Sequence, residues 1–374
     1  SPQGSILGMS GNGDEPGTDN NCQNLNIWTP GMNDGEKRPV MVWLHGGGFS
    51  TGSANEATYD GENLSRSGDV VVVSVNHRLN IFGFLDLSAY GEKYRYSGNA
   101  GLTDIVAALE WIQDNIEAFG GDPENVTVFG QSGGGAKVLA LMTTPYASGL
   151  FHKGIVQSGA TETMGVSFTS KEASTRLTER ILENLGISSD NIEKLQTVPA
   201  SELQAASNHA LQDTAEEFQI PASLGSGYGM EWGPVVDGDY MPTSPVTEDS
   251  FAEAGKDIPL LIGSNLNEWT TIMPSMNQNQ ITEEVVDAFV QAYPNEEESE
   301  AQNVDTLIRL PMLKIMSHKA DQNGAPVYAY VFTYDESSMG AYHGAEIPFV
   351  FHNIGNDSST EVLADQITQA WVNF

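Results

Sequence analysis

Nucleophilic chemistry needs a nucleophile, a base and an orienting acid, and this sequence offers few ways to combine them. The nucleophile candidate is Ser132, in Gly130-Gln131-Ser132-Gly133-Gly134-Gly135. A serine hydroxyl is a weak nucleophile at neutral pH and requires a base within hydrogen-bond reach, itself held by an acid. Seven histidines exist in the chain; those after Ser132 are His152, His209, His318, His343 and His352. A second glycine cluster, His45-Gly46-Gly47-Gly48-Phe49, could turn backbone N–H groups toward a developing negative charge.

These residues act only if elements of structure aim them. Val126-Thr127-Val128-Phe129 reads as a short strand and Gly133 to Met142 as a helix, so Ser132 falls on a sharp strand-to-helix turn. That context is the nucleophile elbow of an α/β-hydrolase. With 39 glycines in the chain, a plain Gly-rich turn is the competing reading. The flanking strand and helix, and the Gly triplet closing the apolar run Val40-Met41-Val42-Trp43-Leu44, weigh against it.

In this fold the triad arrives in the chain order serine, acid, histidine. His152 comes too early to leave room for an acid, and His209 and His318 sit in helix-like stretches. His343 follows the strand-like run Val327 to Phe332 through a loop and precedes Gly344, which suits a catalytic base; His352 is held in reserve. Glu268 lies just past the strand-like run Leu260 to Ser264. Asp237 and Asp239 compete for the acid role from a turn.

The surrounding pattern alternates strands and helices. Val70 to Asn76 is β-branched and of buried-strand character, and Ile155 to Ser158 reads as a further short strand. Leu102 to Phe119 carries Ile105, Leu109, Ile112 and Ile116 at helical spacing. Asn24 to Pro30 alternates as a half-buried strand, with Asn33 to Pro39 expected as a hairpin-like connection to the next. Such a rhythm implies right-handed crossovers and a mostly parallel central sheet flanked by helices. Between about residues 161 and 255 it breaks, with helices expected at Lys171 to Leu185 and Ser201 to Ala210. The expectation is one catalytic domain over residues 1–374 with a helical cap insertion.

At 374 residues the chain has ample material for a large core. No apolar run approaches the ~20 residues that cross a bilayer. Fifty acidic against 16 basic residues give a formal net charge of −34, a field that repels nucleic acid and anionic membrane and favours solubility in salt. Cys22 is the lone cysteine, so no disulfide forms within the chain, and no cluster of metal-ligating residues stands out. No metal or organic cofactor is expected, and neither is nucleic acid or membrane as a partner. The chain is expected to act as a monomer on a small molecule; its compartment is not legible.

Several ordered motifs carry a resemblance over nearly the whole chain. They are Trp43 to Phe49, Asn76-His77-Arg78-Leu79-Asn80 through Leu85, Gly98 to Asp104, Phe119 to Pro123 through the elbow, Gln157-Ser158-Gly159, and Tyr342-His343-Gly344-Ala345-Glu346 through Phe349. Together they resemble the type B carboxylesterases, the family of cholinesterases and bacterial para-nitrobenzyl esterases. The resemblance implies ester hydrolysis with Ser132 as nucleophile, Glu268 as acid and His343 as base. It also implies Gly47, Gly48 and Gly133 as oxyanion donors, and Ser158 and Glu346 as supports of the triad by hydrogen bonding. Gln131 stands where the family has Glu, which removes a negative charge beside the acyl site and speaks against a choline-type substrate. The family's opening strands and final helical segment have no counterpart in this chain, nor has the usual disulfide partner of Cys22. A non-catalytic binding relative and a lactone, carbamate or amide hydrolase are the alternatives on the same fold.

Overall fold

A computed structural model describes residues 21–159, 168–222, 227–273, 282–294, 297–334, 339–355 and 359–374. Seven strands form one sheet: β1 (Asn24–Trp28), β2 (Arg38–Leu44), β3 (Val71–Asn76), β4 (Gly121–Gln131), β5 (Lys153–Gln157), β6 (Leu260–Asn265) and β7 (Val327–Phe332). Their spatial order is β1-β3-β2-β4-β5-β6-β7, with β1 antiparallel to β3 and every other pair parallel. The sequence pointed to a hairpin from β1 to β2; instead β3 lies between them. β1 is an edge strand whose residues are only half-buried, whereas β2 is sealed from Val40 to Leu44. The fully apolar run therefore takes the inner place.

Successive residues of β2 point to opposite faces, and both faces are covered. Val40, Val42 and Leu44 pack with Leu102, Ile105, Leu109 and Ile112 of α2 (Ala100–Asn115). Met41 and Trp43 face the other way, toward Leu64 of α1 (Glu62–Gly68) and Trp371 of α8 (Glu361–Asn373). The elbow helix is α3 (Gly133–Leu141), buried along its whole length. Between β5 and β6 come α4 (Lys171–Leu185) and α5 (Ala200–Phe218). α5 extends well beyond the expected Ala210, because the residues up to Phe218 include no breaker. Asn99 ties this region to α2: its side chain donates to Val235 O (2.9 Å) and accepts from Val235 N (2.9 Å). α6 (Glu283–Ala292) and α7 (Arg309–Asp321) follow β6.

The parallel register determines where chemistry can sit. Leu44 pairs with Gly130, Gln131 with Gln157, and Gln157 with Gly263. The residues that follow each strand, Gly46 to Gly48, Ser132, Ser158 and Glu268, thus emerge at one C-terminal edge, where open α/β sheets bind ligands. The elbow permits only one shape. A Cβ on Gly134 would stand 1.9 Å from Leu44 O, and one on Gly130 would stand 2.5 Å from the Gly134 carbonyl carbon. Both obstacles are backbone. Gly134→Ala is expected to destabilise the protein by about 3 kcal/mol, the upper end for overpacking a tight site. A shift of the denaturation midpoint in urea measures it.

Candidate active site

Ser132 sits between β4 and α3 with φ 56° and ψ −125°, a backbone conformation that only the surrounding packing can enforce. Its N–H donates to Gln157 O at 2.8 Å, fixing the turn to the next strand. The Gly46–Gly48 loop lies directly against this elbow. A Cβ on Gly46 would meet Ser132 Cβ at 3.5 Å, and one on Gly133 would meet Gly48 N at 2.5 Å. Gly47 and Gly48 have φ of +87° and +61°, open to glycine at no steric cost. The Gly47 carbonyl is tied back by Thr51 N–H (3.0 Å), and Phe49 O accepts from Asn80 N–H (2.7 Å). The loop is held by its own exit and by the turn after β3.

Glu268 and His343 meet directly: Glu268 Oε2 accepts from His343 Nδ1 at 2.5 Å. The acid is fully buried, and its other oxygen, Oε1, accepts from Ser158 Oγ (2.6 Å) and Asn265 N–H (2.6 Å). The two loops are also joined along the backbone, with Glu268 N–H donating to Ala341 O (3.1 Å) and His343 N–H to Glu268 O (3.0 Å). Glu268 has φ +50°, so its backbone too is bent to this purpose. Trp269 stacks on the His343 ring, centroids 4.4 Å apart and planes 27° apart. With a carboxylate at Nδ1, that nitrogen carries the imidazole proton and Nε2 keeps the lone pair. The bond at Nε2 comes from the Gln131 amide, whose Nε2 donates at 3.2 Å. Gln131 is thus a direct partner of the His343 ring, and Ser132 is the residue next to that partner.

Two more acids stand behind Glu268. Glu346 accepts from Asn265 Nδ2 (2.6 Å) and Gln157 Nε2 (3.1 Å), so it supports Glu268 through Asn265 and not by contact. Burial, and then the charge of Glu268, pushes its carboxyl up from the usual range. Asp305 accepts from the N–H groups of Leu307, Ile308 and Arg309 at the start of α7. Burial, and then Glu268, raises it to about 6.

The alternatives lie elsewhere. Asp237 binds the N–H groups of Asp239 and Met241 (2.9 Å each), and Asp239 pairs with Arg95. His152 accepts from Val126 N–H (3.1 Å), and His352 meets Asp365 at 2.8 Å. His209 and His318 lie in α5 and α7. Asn265, Trp269 and Gln157 escaped the functional reading of the sequence. A polar residue closing a strand with an apolar centre, as Gln157 closes β5 and Asn265 closes β6, was the available signal. Among the described residues no group of three or more His, Cys, Asp or Glu could hold a metal ion, and no helix is long and apolar enough to cross a membrane.

Comparison with known proteins agrees with this architecture. A family model described as "Carboxylesterase family" matches residues 2–308. The chain is 36% identical to a para-nitrobenzyl esterase of Bacillus subtilis (strain 168), over 96% of this chain and 74% of that protein. It is 33% identical to a phenmedipham hydrolase of Pseudarthrobacter oxydans, over 100% of this chain and 76% of that protein. Among solved structures, an esterase from Clostridium hathewayi reported to hydrolyse aliphatic aromatic polyesters aligns with TM-score 0.84 and 37% identity, covering 100% of this chain and 76% of the other. On a family match of this extent and relatives of this identity, the chain belongs to the carboxylesterase family.

Proposed function

We propose that this carboxylesterase cleaves small to medium neutral esters through Ser132, His343 and Glu268, by way of an acyl-enzyme. The observation that carries the reading is the Glu268–His343 bond of 2.5 Å, made by a buried acid whose other oxygen is held by two donors. His343 Nε2 takes the Ser132 proton as Oγ attacks the ester carbonyl carbon. The oxyanion is received by the N–H groups of Gly47, Gly48 and Gly133. His343 returns the proton to the leaving alcohol, and water repeats the attack on the acyl-enzyme with the same base. Gln131 caps the lone pair that the base needs, so its amide gives way when the Ser132 hydroxyl turns to Nε2. The segment between β5 and β6 serves as the cap that shapes the pocket, and the protein acts as a monomer.

A carbamate is the second substrate class, favoured by the similarity to a phenmedipham hydrolase. A panel of para-nitrophenyl esters from acetate to laurate, with the matching anilides and carbamates, tests both. Ester turnover above amide turnover by orders of magnitude is expected; equal rates on amides contradict the reading.

Gln131 also bears on specificity. In Gln131→Glu a carboxylate replaces the amide 3.2 Å from His343 Nε2. An anion at that distance favours the protonated imidazole, so the pH of half-maximal activity on the acid side is expected to rise by about one unit or more. The same charge attracts cationic alcohols. The ratio of choline-ester to neutral-ester kcat/KM is expected to rise along with it.

A further inference from the structure

Lys137 takes no part in the steps above, yet it is fully buried five residues after Ser132 in α3. Its Nζ donates to His45 O at 2.8 Å and lies 5.6 Å from the centre of the Phe49 ring. His45 and Phe49 are the residues on either side of Gly46-Gly47-Gly48. One ammonium therefore touches both ends of the oxyanion loop. Among the described residues Lys137 has no ion-pair partner. The titratable groups facing it are His45 at the exit of β2 and His77 at the exit of β3, whose rings stack with centroids 5.2 Å apart.

Both imidazoles are neutral. His45 Nδ1 donates to Gly46 O (2.8 Å) and His77 Nδ1 to Arg78 O (2.9 Å), while the buried Nε2 atoms have no hydrogen-bond partner. Burial, and then the charge of Lys137, lowers His45 to about 3 and His77 well below its ordinary value. Neither takes up a proton near neutrality. An unpaired buried ammonium costs stability, and an apolar side chain of the same length would avoid that cost. What the charge can supply in return is chemical, because a fixed positive charge in a low-dielectric site stabilises an anion forming near it.

We propose that Lys137 is the positioning residue of the oxyanion loop, its ammonium pinning the His45 carbonyl and setting a positive charge behind the Gly47 and Gly48 amides. This rests on the oxyanion role given to those glycines above. Burial lowers Lys137 to about 7. The sign is then fixed: the unfolded chain binds this proton more tightly, so the full penalty on folding is present below pH 7 and fades as pH rises toward the ordinary lysine value. The catalytic effect runs the other way, since the protonated form assists the oxyanion and is lost as pH rises.

Lys137→Met and Lys137→Gln, assayed on a short para-nitrophenyl ester, test this. Lys137→Met is expected to lower kcat by about 10- to 100-fold, somewhat less than loss of a direct oxyanion donor, with KM within about twofold. Its melting temperature at pH 7 should equal or exceed that of wild type, and the difference should shrink toward pH 10. The alkaline decline of kcat in wild type should vanish in both variants. Lys137→Gln retains a donor for His45 O without the charge, and its kcat should fall between the other two. Wild-type kcat in Lys137→Met, or an unchanged alkaline decline in both variants, overturns the proposal. If Lys137→Met does not fold, wild-type kcat and decline in Lys137→Gln do the same. Labelling of wild type by a fluorophosphonate separates the two readings: unlabelled Ser132 sinks the catalytic assignment, whereas labelled Ser132 with unaffected variants sinks only the role of Lys137.

Discussion

Ser132→Ala is expected to lower kcat on a para-nitrophenyl ester by about 10⁶-fold, the scale seen when a triad nucleophile is lost, and to leave the fold intact. The expectation of a sound fold comes from the elbow. Ser132 is anchored by its backbone, through its N–H bond to Gln157 O and the glycines around it, and no described hydrogen bond holds its Oγ. Removing Oγ therefore takes away chemistry and little structure. The residual rate should be that of a loop that still binds the substrate carbonyl. A variant that keeps wild-type turnover, with an unchanged melting temperature, would show that the acyl group is carried elsewhere.

The second large effect belongs to Glu268→Gln, expected at about 10⁴-fold in kcat by analogy with the acid-to-amide change in serine proteases. The geometry explains why an isosteric change costs so much. Oε1 accepts from both Ser158 Oγ and Asn265 N–H, so an amide at this position must place its carbonyl oxygen there. Its NH₂ group then faces His343 Nδ1 and donates to it. That forces the imidazole proton onto Nε2, and a nitrogen bearing a proton cannot accept one from Ser132. Ser158 Oγ can donate or accept, so the Asn265 N–H alone fixes this orientation. The ratio of kcat in wild type and Glu268→Gln checks the expected loss, and a loss below about tenfold contradicts the role given to Glu268.

How far the sequence disclosed this arrangement varies with the kind of contact. The inner strands were readable because a strand buried on both faces must be apolar throughout, as Val40 to Leu44 and Val71 to Val73 are. The elbow and the glycine loop were readable because their geometry excludes nearly all other residue types. The partner of β1 was not, since alternation shows that a strand is half-buried and says nothing about which neighbour it finds. The Asn265–Glu346 and Gln157–Glu346 bonds were hidden for a related reason. They join strand ends to a loop about 80 and 190 positions away, and only the register brings them together. Lys137 was the hardest to foresee, because a lysine in an apolar helix reads as a surface residue until packing places it under the loop.

The position of Gln131 links the two halves of the proposed mechanism. Glu268 holds the imidazole from one side and the Gln131 amide meets it from the other. In the mechanism proposed above, Ser132, the next residue, replaces that amide at His343 Nε2 when its hydroxyl turns inward. The most direct measurement is mass spectrometry of the intact protein after reaction with a fluorophosphonate, with peptide mapping of the adduct. One adduct per chain is expected, on Ser132, formed at a rate that falls in Glu268→Gln and absent in Ser132→Ala. An adduct on any other residue, or a fully folded protein that takes up none while still hydrolysing esters, would contradict the assignment of Ser132 as nucleophile.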